Sequence, residues 1–343
     1  MQNKVNPFEV FNKILSRNYD LSCCFLCGED LNEDNRSLEH VFPKWLLDKY
    51  NLWDQKYFLL NQTNIPYNKL IIPCCLKCNN IFLNKIENEV KSRHDRGFES
   101  FKDIDREKLF FWLGKIFYGL LYKELSLLVD RKNPEQGYII SPTFLKQFEV
   151  HWLFLQGIIG KHSFRDFFPA SIFIFKTQYS NNIELNWDFV DSTNTLSISI
   201  RMGDIGVVGV LQDGGTTEGI KNLFKDFSKV PLHHLQFREL ASKIIYQSLL
   251  FNRVPKYFTS SNKGFIETIQ MPIGGLSSKP LYDQGNALDY AHILSKYTEM
   301  PLQDIYSEPS QVMTWIKNEK DEITFIDINT NEKHIILSAQ PQS

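Results

Sequence analysis

The sequence predicts an α+β protein: a small cysteine-braced motif followed by a larger mixed α+β domain with an antiparallel sheet. Three observations predict it. All six cysteines fall between Cys23 and Cys78. Four later runs, "ASIFIFKTQ", "IELNWDFV", "TLSISIRMG" and "IGVVGVLQ", alternate apolar and polar residues between turn residues, as antiparallel strands do. Two long stretches, "EKLFFWLGKIFYGLLYKELSLLVD" and "LHHLQFRELASKIIYQSLLF", are too long and too apolar for strands and predict buried helices.

A chain of 343 residues is long for one domain and suits two, which we divide as 1–100 and 101–343. Its size requires no metal or disulfide staple. The hydrophobic share of 43% with 27 Phe points to well-filled cores rather than disorder. A formal net charge of -2 excludes the global basic field of a sequence-independent nucleic-acid coat, and leaves room for a small site gripping a few phosphates. The first twenty residues lack an apolar core of signal-peptide length, and no later run is long enough to span a bilayer, so a cytoplasmic chain without membrane contact is expected. In a reducing compartment, clustered cysteines are metal ligands or reactive thiols before they are disulfides.

The cysteines form two copies of one pattern, "CCFLC" and "CCLKC". Each contains a C-x2-C, Cys24 with Cys27 and Cys75 with Cys78, the spacing at which a tight knuckle turns two thiolates toward one tetrahedral Zn²⁺. Two knuckles make a closed four-sulfur site with no open position, so the expected zinc is structural. Cys23 and Cys74 leave the register ambiguous and are taken as small buried residues.

The segment between the knuckles is long enough for a folded motif. "RSLEHVFP" reads as a strand ending at Pro43, "KWLLDKY" as a helical turn or two, and "KYFLLNQ" and "NKLIIPC" as strands joined by the turn "TNIPY". Ile81, Ile86 and Val90 then recur at helical spacing, so a helix begins near Cys78.

Cys24-x2-Cys27, "LEHVFPKWL" and "IIPCCLKCNN" together resemble the HNH (His-Me finger, ββα-metal) endonucleases, in the version clipped by two zinc knuckles, over about Ser22 to Val90. The resemblance implies a ββα-metal motif and metal-dependent phosphodiester hydrolysis, with DNA the first expectation. It assigns His40 as general base, Glu39 and Asn79 as holders of one Mg²⁺ or Mn²⁺, and Asn68 as the middle residue orienting the base, with Asn64 next in line. Glu39 stands where Asp is more frequent and Asn79 where His is more frequent; Asn80 can replace Asn79 if the helix starts one residue later. The whole chain loosely resembles bacterial HNH proteins with a large C-terminal α+β region, some tied to defence against phage or plasmids. The rival readings are a non-catalytic zinc-bearing module that binds nucleic acid or protein, and an RNA-directed toxin nuclease.

Simpler roles compete for several of these residues. Asn79 and Asn80 at a helix start suit N-caps. Trp45, Leu46 and Leu47 suit packing, and His94 in "KSRHDRG" suits a solvated helix end or, with Lys91, Arg93 and Arg96, a phosphate contact. His233 and His234 have no partner motif.

Beyond the motif, a charged stretch near residues 95–106 suits a linker, and "SPTFLKQFEVHWLFLQGIIG" reads as a helix started by Ser141 or Thr143. "DGGTTEGIKNLF" sets glycines at a helix mouth without the Lys-Ser/Thr ending of a P-loop, and reads as a strand-turn-helix connection. "GIKNLFKDF" and "NALDYAHILSKY" read as further helices and "EITFIDINTNEKHIIL" as a closing hairpin. The C-terminal region is expected to select substrate, to make a homo-oligomer or to meet a regulatory partner.

Overall fold

The computed structural model describes residues 20–262, 265–273 and 279–335. The reading of the first nineteen residues and the last two residues of the closing hairpin lie outside them. The fold is mixed α+β, and among the described residues its sheets are antiparallel apart from one parallel pairing. Two compact units emerge, bounded differently from a division at residue 100. The first joins the described residues up to Asp95 with Ile104–Phe168 and Lys256–Met271; the second joins Arg96–Asp103, Pro169–Pro255 and the described residues from Pro272 on.

In the first unit, β1 (Arg36–His40) pairs antiparallel with β4 (Ile71–Cys75), in the register Arg36↔Cys75 to His40↔Ile71. The segment read as the turn "TNIPY" is instead partly a strand: β3 (Asn64–Pro66) pairs with β2 (Lys56–Phe58), so "KYF" never meets "LIIPC". Pro66 hides this strand in the sequence, because proline is tolerated on an edge but seldom signals one. The predicted helix after the second knuckle opens with a π-helical turn, Cys78–Leu83, and continues as the helix Asn84–Asp95.

The helix Arg106–Glu124 is the centre of this unit. Asp105 caps it by accepting from the Lys108 N–H at 2.8 Å. Fifteen of its nineteen residues are buried, so it has no polar face. Gly119 lets it approach the hairpin, since a Cβ there would already stand 3.3 Å from Ile72 and Val41 side-chain atoms. The later chain also buttresses the first knuckle: Trp152 Nε1 donates to the Phe25 carbonyl at 3.0 Å, Gln156 Nε2 to that of Leu26 at 2.8 Å, and the Tyr122 hydroxyl to that of Cys23 at 3.2 Å. These bonds explain why residues 104–168 belong with the cysteines. The "SPTFLKQFEVHWLFLQ" helix is broken into Pro142–Lys146, capped by Ser141, and Glu149–Leu155. The strand β5 (His162–Phe164) takes β11 (Phe265–Gln270) in parallel, with β10 (Tyr257–Asn262) beyond it, a pairing across about a hundred residues of sequence.

The second unit carries the predicted antiparallel sheet in the order β6-β9-β8-β7, made of β6 (Ser171–Lys176), β7 (Trp187–Ser192), β8 (Ser197–Met202) and β9 (Ile205–Val210). The helix His234–Leu249 packs on it, and Gly206 makes room, because a Cβ there would lie 2.4 Å from the Phe237 ring. The linker region contains the helix Phe98–Phe101, and "GIKNLFKDF" forms 3-10 turns rather than an α-helix. Asp213 fills the glycine-rich mouth before those turns: its carboxylate accepts from Gly215 N–H at 3.0 Å, Thr217 N–H at 2.8 Å and Ser171 O–H at 2.6 Å. A loop that already holds its own anion is a connection, as its sequence suggests.

Candidate active site

The two knuckles close on each other. In the first, Gly28 adopts a left-handed φ of 73° and donates its N–H to the Cys24 carbonyl at 2.9 Å, a turn a side chain would strain. In the second, the Cys78 N–H donates to Cys75 Sγ at 3.4 Å. The Sγ atoms of Cys24, Cys27, Cys75 and Cys78 all lie within 4.8 Å of one another, and Cys27 and Cys75 are 3.8 Å apart. Tetrahedral Zn–S bonds of about 2.3 Å would set sulfurs about 3.8 Å apart. The four residues chosen by C-x2-C spacing are therefore able to hold a structural metal such as zinc.

The two extra cysteines differ. Cys23 Sγ turns to Asp30 Oδ1 at 3.3 Å, whereas Cys74 Sγ stays 3.8 Å from Cys24 Sγ at the edge of the cluster. Sulfur-to-sulfur hydrogen bonds pull the Cys24 thiol down and push those of Cys27 and Cys78 up.

Strand β1 carries this brace to the candidate chemistry. Its register ties Arg36 to Cys75, and four residues on the strand ends at His40. Alternation sends Glu39 inward, 6% exposed, and leaves His40 half-buried on the opposite face. The Trp53 ring meets the imidazole edge-on at 6.1 Å. Burial, then the charges of Lys44 and Lys115, hold the His40 pKa below its ordinary value against the opposing pull of Glu87. The imidazole is thus neutral at pH 7, the form a general base requires.

Behind the strand end lies a group that the sequence reading missed. Lys115, 1% exposed, points its ammonium at Glu39 Oε1 (2.5 Å), Glu87 Oε1 (2.7 Å) and the carbonyl oxygens of His40 (2.8 Å) and Val41 (3.2 Å). Burial alone would lower its pKa, but Glu39 and Glu87 more than offset that and hold it raised. One ammonium compensates only one of two carboxylates. Burial accordingly pushes Glu39 up to about 7, with Lys115 opposing and Glu87 adding to the shift. The readable signal was Lys115 itself, a lone charge inside the apolar run "FFWLGKIFYGLL".

The remaining predicted residues are placed as follows. Asn79 is no N-cap: its Nδ2 donates to Ser37 Oγ at 2.7 Å and to the Leu38 carbonyl at 3.0 Å, tying the helix start to β1. Asn80 is exposed. Asn68 lies in the 3-10 turn Tyr67–Lys69, takes the Trp53 carbonyl with its N–H at 3.3 Å and donates Nδ2 to Asp54 at 3.3 Å; its Oδ1 is buried with no donor. It therefore abuts the segment whose Trp53 flanks His40, while Asn64 is exposed in β3.

Leu46 and Leu47 are fully buried, and Trp45 packs 5.0 Å from the His94 ring. His94 is neither solvated nor open to phosphate: it is 4% exposed and bonded to the Tyr50 hydroxyl at 2.7 Å. His233 is the cap of its helix, its Nδ1 accepting from the Leu235 N–H at 3.2 Å.

A divalent ion at Glu39 would have to share its carboxylate with Lys115. The carboxylate already faces a buried ammonium; Asn79 binds Ser37 and Leu38 only through Nδ2, which leaves its Oδ1 as the one atom of the amide open to a cation. Among the described residues only the four cysteines group as a set of three or more His, Cys, Asp and Glu ligands. Among them, too, no helix is long and apolar enough to cross a membrane. No family model, curated protein or solved structure matches the chain.

Proposed function

We propose that this chain is an HNH-type endonuclease that hydrolyses phosphodiester bonds of nucleic acid, DNA first, with His40 as general base. The supporting observation is a neutral, half-buried imidazole at the end of a strand whose neighbour carries Cys75 of the cysteine cluster. His40 would take a proton from water as the water oxygen attacks phosphorus, and the 3′ oxygen would leave with the electron pair of its bond. Lys44, exposed at the start of the helix Lys44–Lys49 and close enough to depress His40, would offset charge gathering on the phosphate. Asn68 would orient the base from the Trp53 side. The Mg²⁺ or Mn²⁺ that the family resemblance implies is given no step, since Glu39 is engaged by Lys115. A role in defence against phage or plasmid DNA follows the same resemblance.

Purified protein incubated separately with plasmid DNA and with RNA, in Mg²⁺, Mn²⁺ or EDTA, tests this beside a His40→Ala variant of verified zinc content. Cleavage by the parent that the variant loses supports the reading and names the polymer. Cleavage by both removes His40 from the chemistry. The engagement of Glu39 by Lys115 favours one rival, a zinc-bearing binding module, and intact substrate in every arm would select it.

A further inference from the structure

We infer that Lys115 is the resident cation of this site and the positioning residue for His40, an inference that rests on the hydrolytic reading above. Its ammonium stands among four oxygens from three places: Glu39 on β1, Glu87 on the helix Asn84–Asp95, and the successive carbonyls of His40 and Val41 where β1 ends. Three N–H donors are thus shared by four acceptors, and none faces solvent, since Lys115 is 1% exposed. Its neighbours along the helix Arg106–Glu124, from Leu109 to Tyr122, are buried with it.

Two consequences follow from this arrangement. First, the place beside Glu39 where a divalent ion would be neutralised is filled by a charge built into the chain. An added dication would stand next to a fixed ammonium and compete with it for the same carboxylates. Second, the clamp on the carbonyls of His40 and Val41 fixes the backbone from which the imidazole projects, so Lys115 acts on the reaction through His40. Glu39 and Glu87 hold the ammonium in place. The acidic residue preceding the base is therefore an anchor for a lysine rather than a metal ligand.

The test measures Mn²⁺ binding by electron paramagnetic resonance on the zinc-loaded full chain, comparing the parent with Glu39→Gln, Lys115→Met and Lys115→Met/Glu39→Gln. The expected result is that Glu39→Gln leaves Mn²⁺ affinity within twofold of the parent. Lys115→Met should gain at least tenfold, and the double variant should lose that gain. A parent that binds Mn²⁺ at least tenfold more tightly than Glu39→Gln overturns the inference, and this comparison needs no Lys115 variant to fold. In cleavage, Lys115→Met should lower kcat ten- to a hundredfold with KM within twofold. It should also move the acid limb of the rate to higher pH, because a cation that depresses His40 has been removed. Unchanged kcat and limb overturn the positioning role. If no substrate is cut by any protein, the nuclease reading fails and the Mn²⁺ comparison still decides what occupies the site.

Discussion

Asp213 and Glu239 in the second unit, and Glu39 in the first, are all buried carboxylates, yet they end against different partners. Asp213 accepts from the N–H groups of Gly215 and Thr217, and Glu239 from those of Trp315 at 2.6 Å and Ile316 at 3.2 Å. Each holds a loop to an element through backbone N–H groups, and Glu239 also pairs one-to-one with the partly exposed Lys243 ammonium at 2.5 Å. Glu39 meets a fully buried ammonium, shares it with Glu87, and stands one residue before a half-buried imidazole. An excess negative charge kept beside a half-buried imidazole adds nothing to stability that apolar packing would not supply more simply. The contrast separates buried charge that closes a fold from buried charge set beside the proposed base.

The largest effect should come from the brace. Cys75→Ser should abolish zinc binding measured by plasma mass spectrometry and unfold the first unit, with a loss on the order of 10 kcal/mol of metal-linked stability. Cys23→Ser should retain zinc, because its thiol faces Asp30. Loss of zinc in both variants would undo the register drawn from C-x2-C spacing. Next, His40→Ala should reduce cleavage by about 10²–10⁴-fold while its thermal midpoint stays close to the parent's. A large drop in midpoint would recast His40 as a structural residue. Asp213→Ala is the control from the other unit: two N–H groups and one hydroxyl lose their acceptor, at a cost of about 3 kcal/mol in denaturant melts. Zinc content should not change; a parallel loss of zinc would erase the proposed separation of roles.

The parts of this molecule that the sequence makes legible are those set by local rules. Cys24, Cys27, Cys75 and Cys78 were identifiable because ligand spacing within a knuckle is a matter of three residues, and β6 to β9 because short apolar or alternating runs bounded by turn residues mark each strand locally. Non-local partners were hidden. Glu87 and Lys115 are 28 residues apart and Lys115 and Glu39 are 76 apart, with nothing in either neighbourhood to join them. The same distance concealed the parallel pairing of β5 with β11, which takes Lys256–Met271 into the first unit. His94 looked solvated because its neighbours Lys91, Arg93 and Asp95 are charged, while Trp45 and Tyr50, which bury it, come from an earlier helix and its end.

The smallest effect tests the contrast most directly, through pH. The Glu39 carboxyl is raised from an ordinary 4.5 to about 7, mainly by burial. Between those values the folded protein holds a proton that the unfolded chain releases, so stability from this group is greatest at acid pH and falls as pH rises through the window. This sign is opposite to that of a carboxylate paired one-to-one with a cation, whose contribution is lost on acidification. Urea melts at pH 5 and pH 8 should therefore show the parent losing on the order of 2 kcal/mol relative to Glu39→Gln over that interval. If the two proteins respond in parallel, Lys115 neutralises Glu39 completely, Glu87 carries the uncompensated charge instead, and Glu39 belongs with Asp213 and Glu239 among the carboxylates that only close the fold.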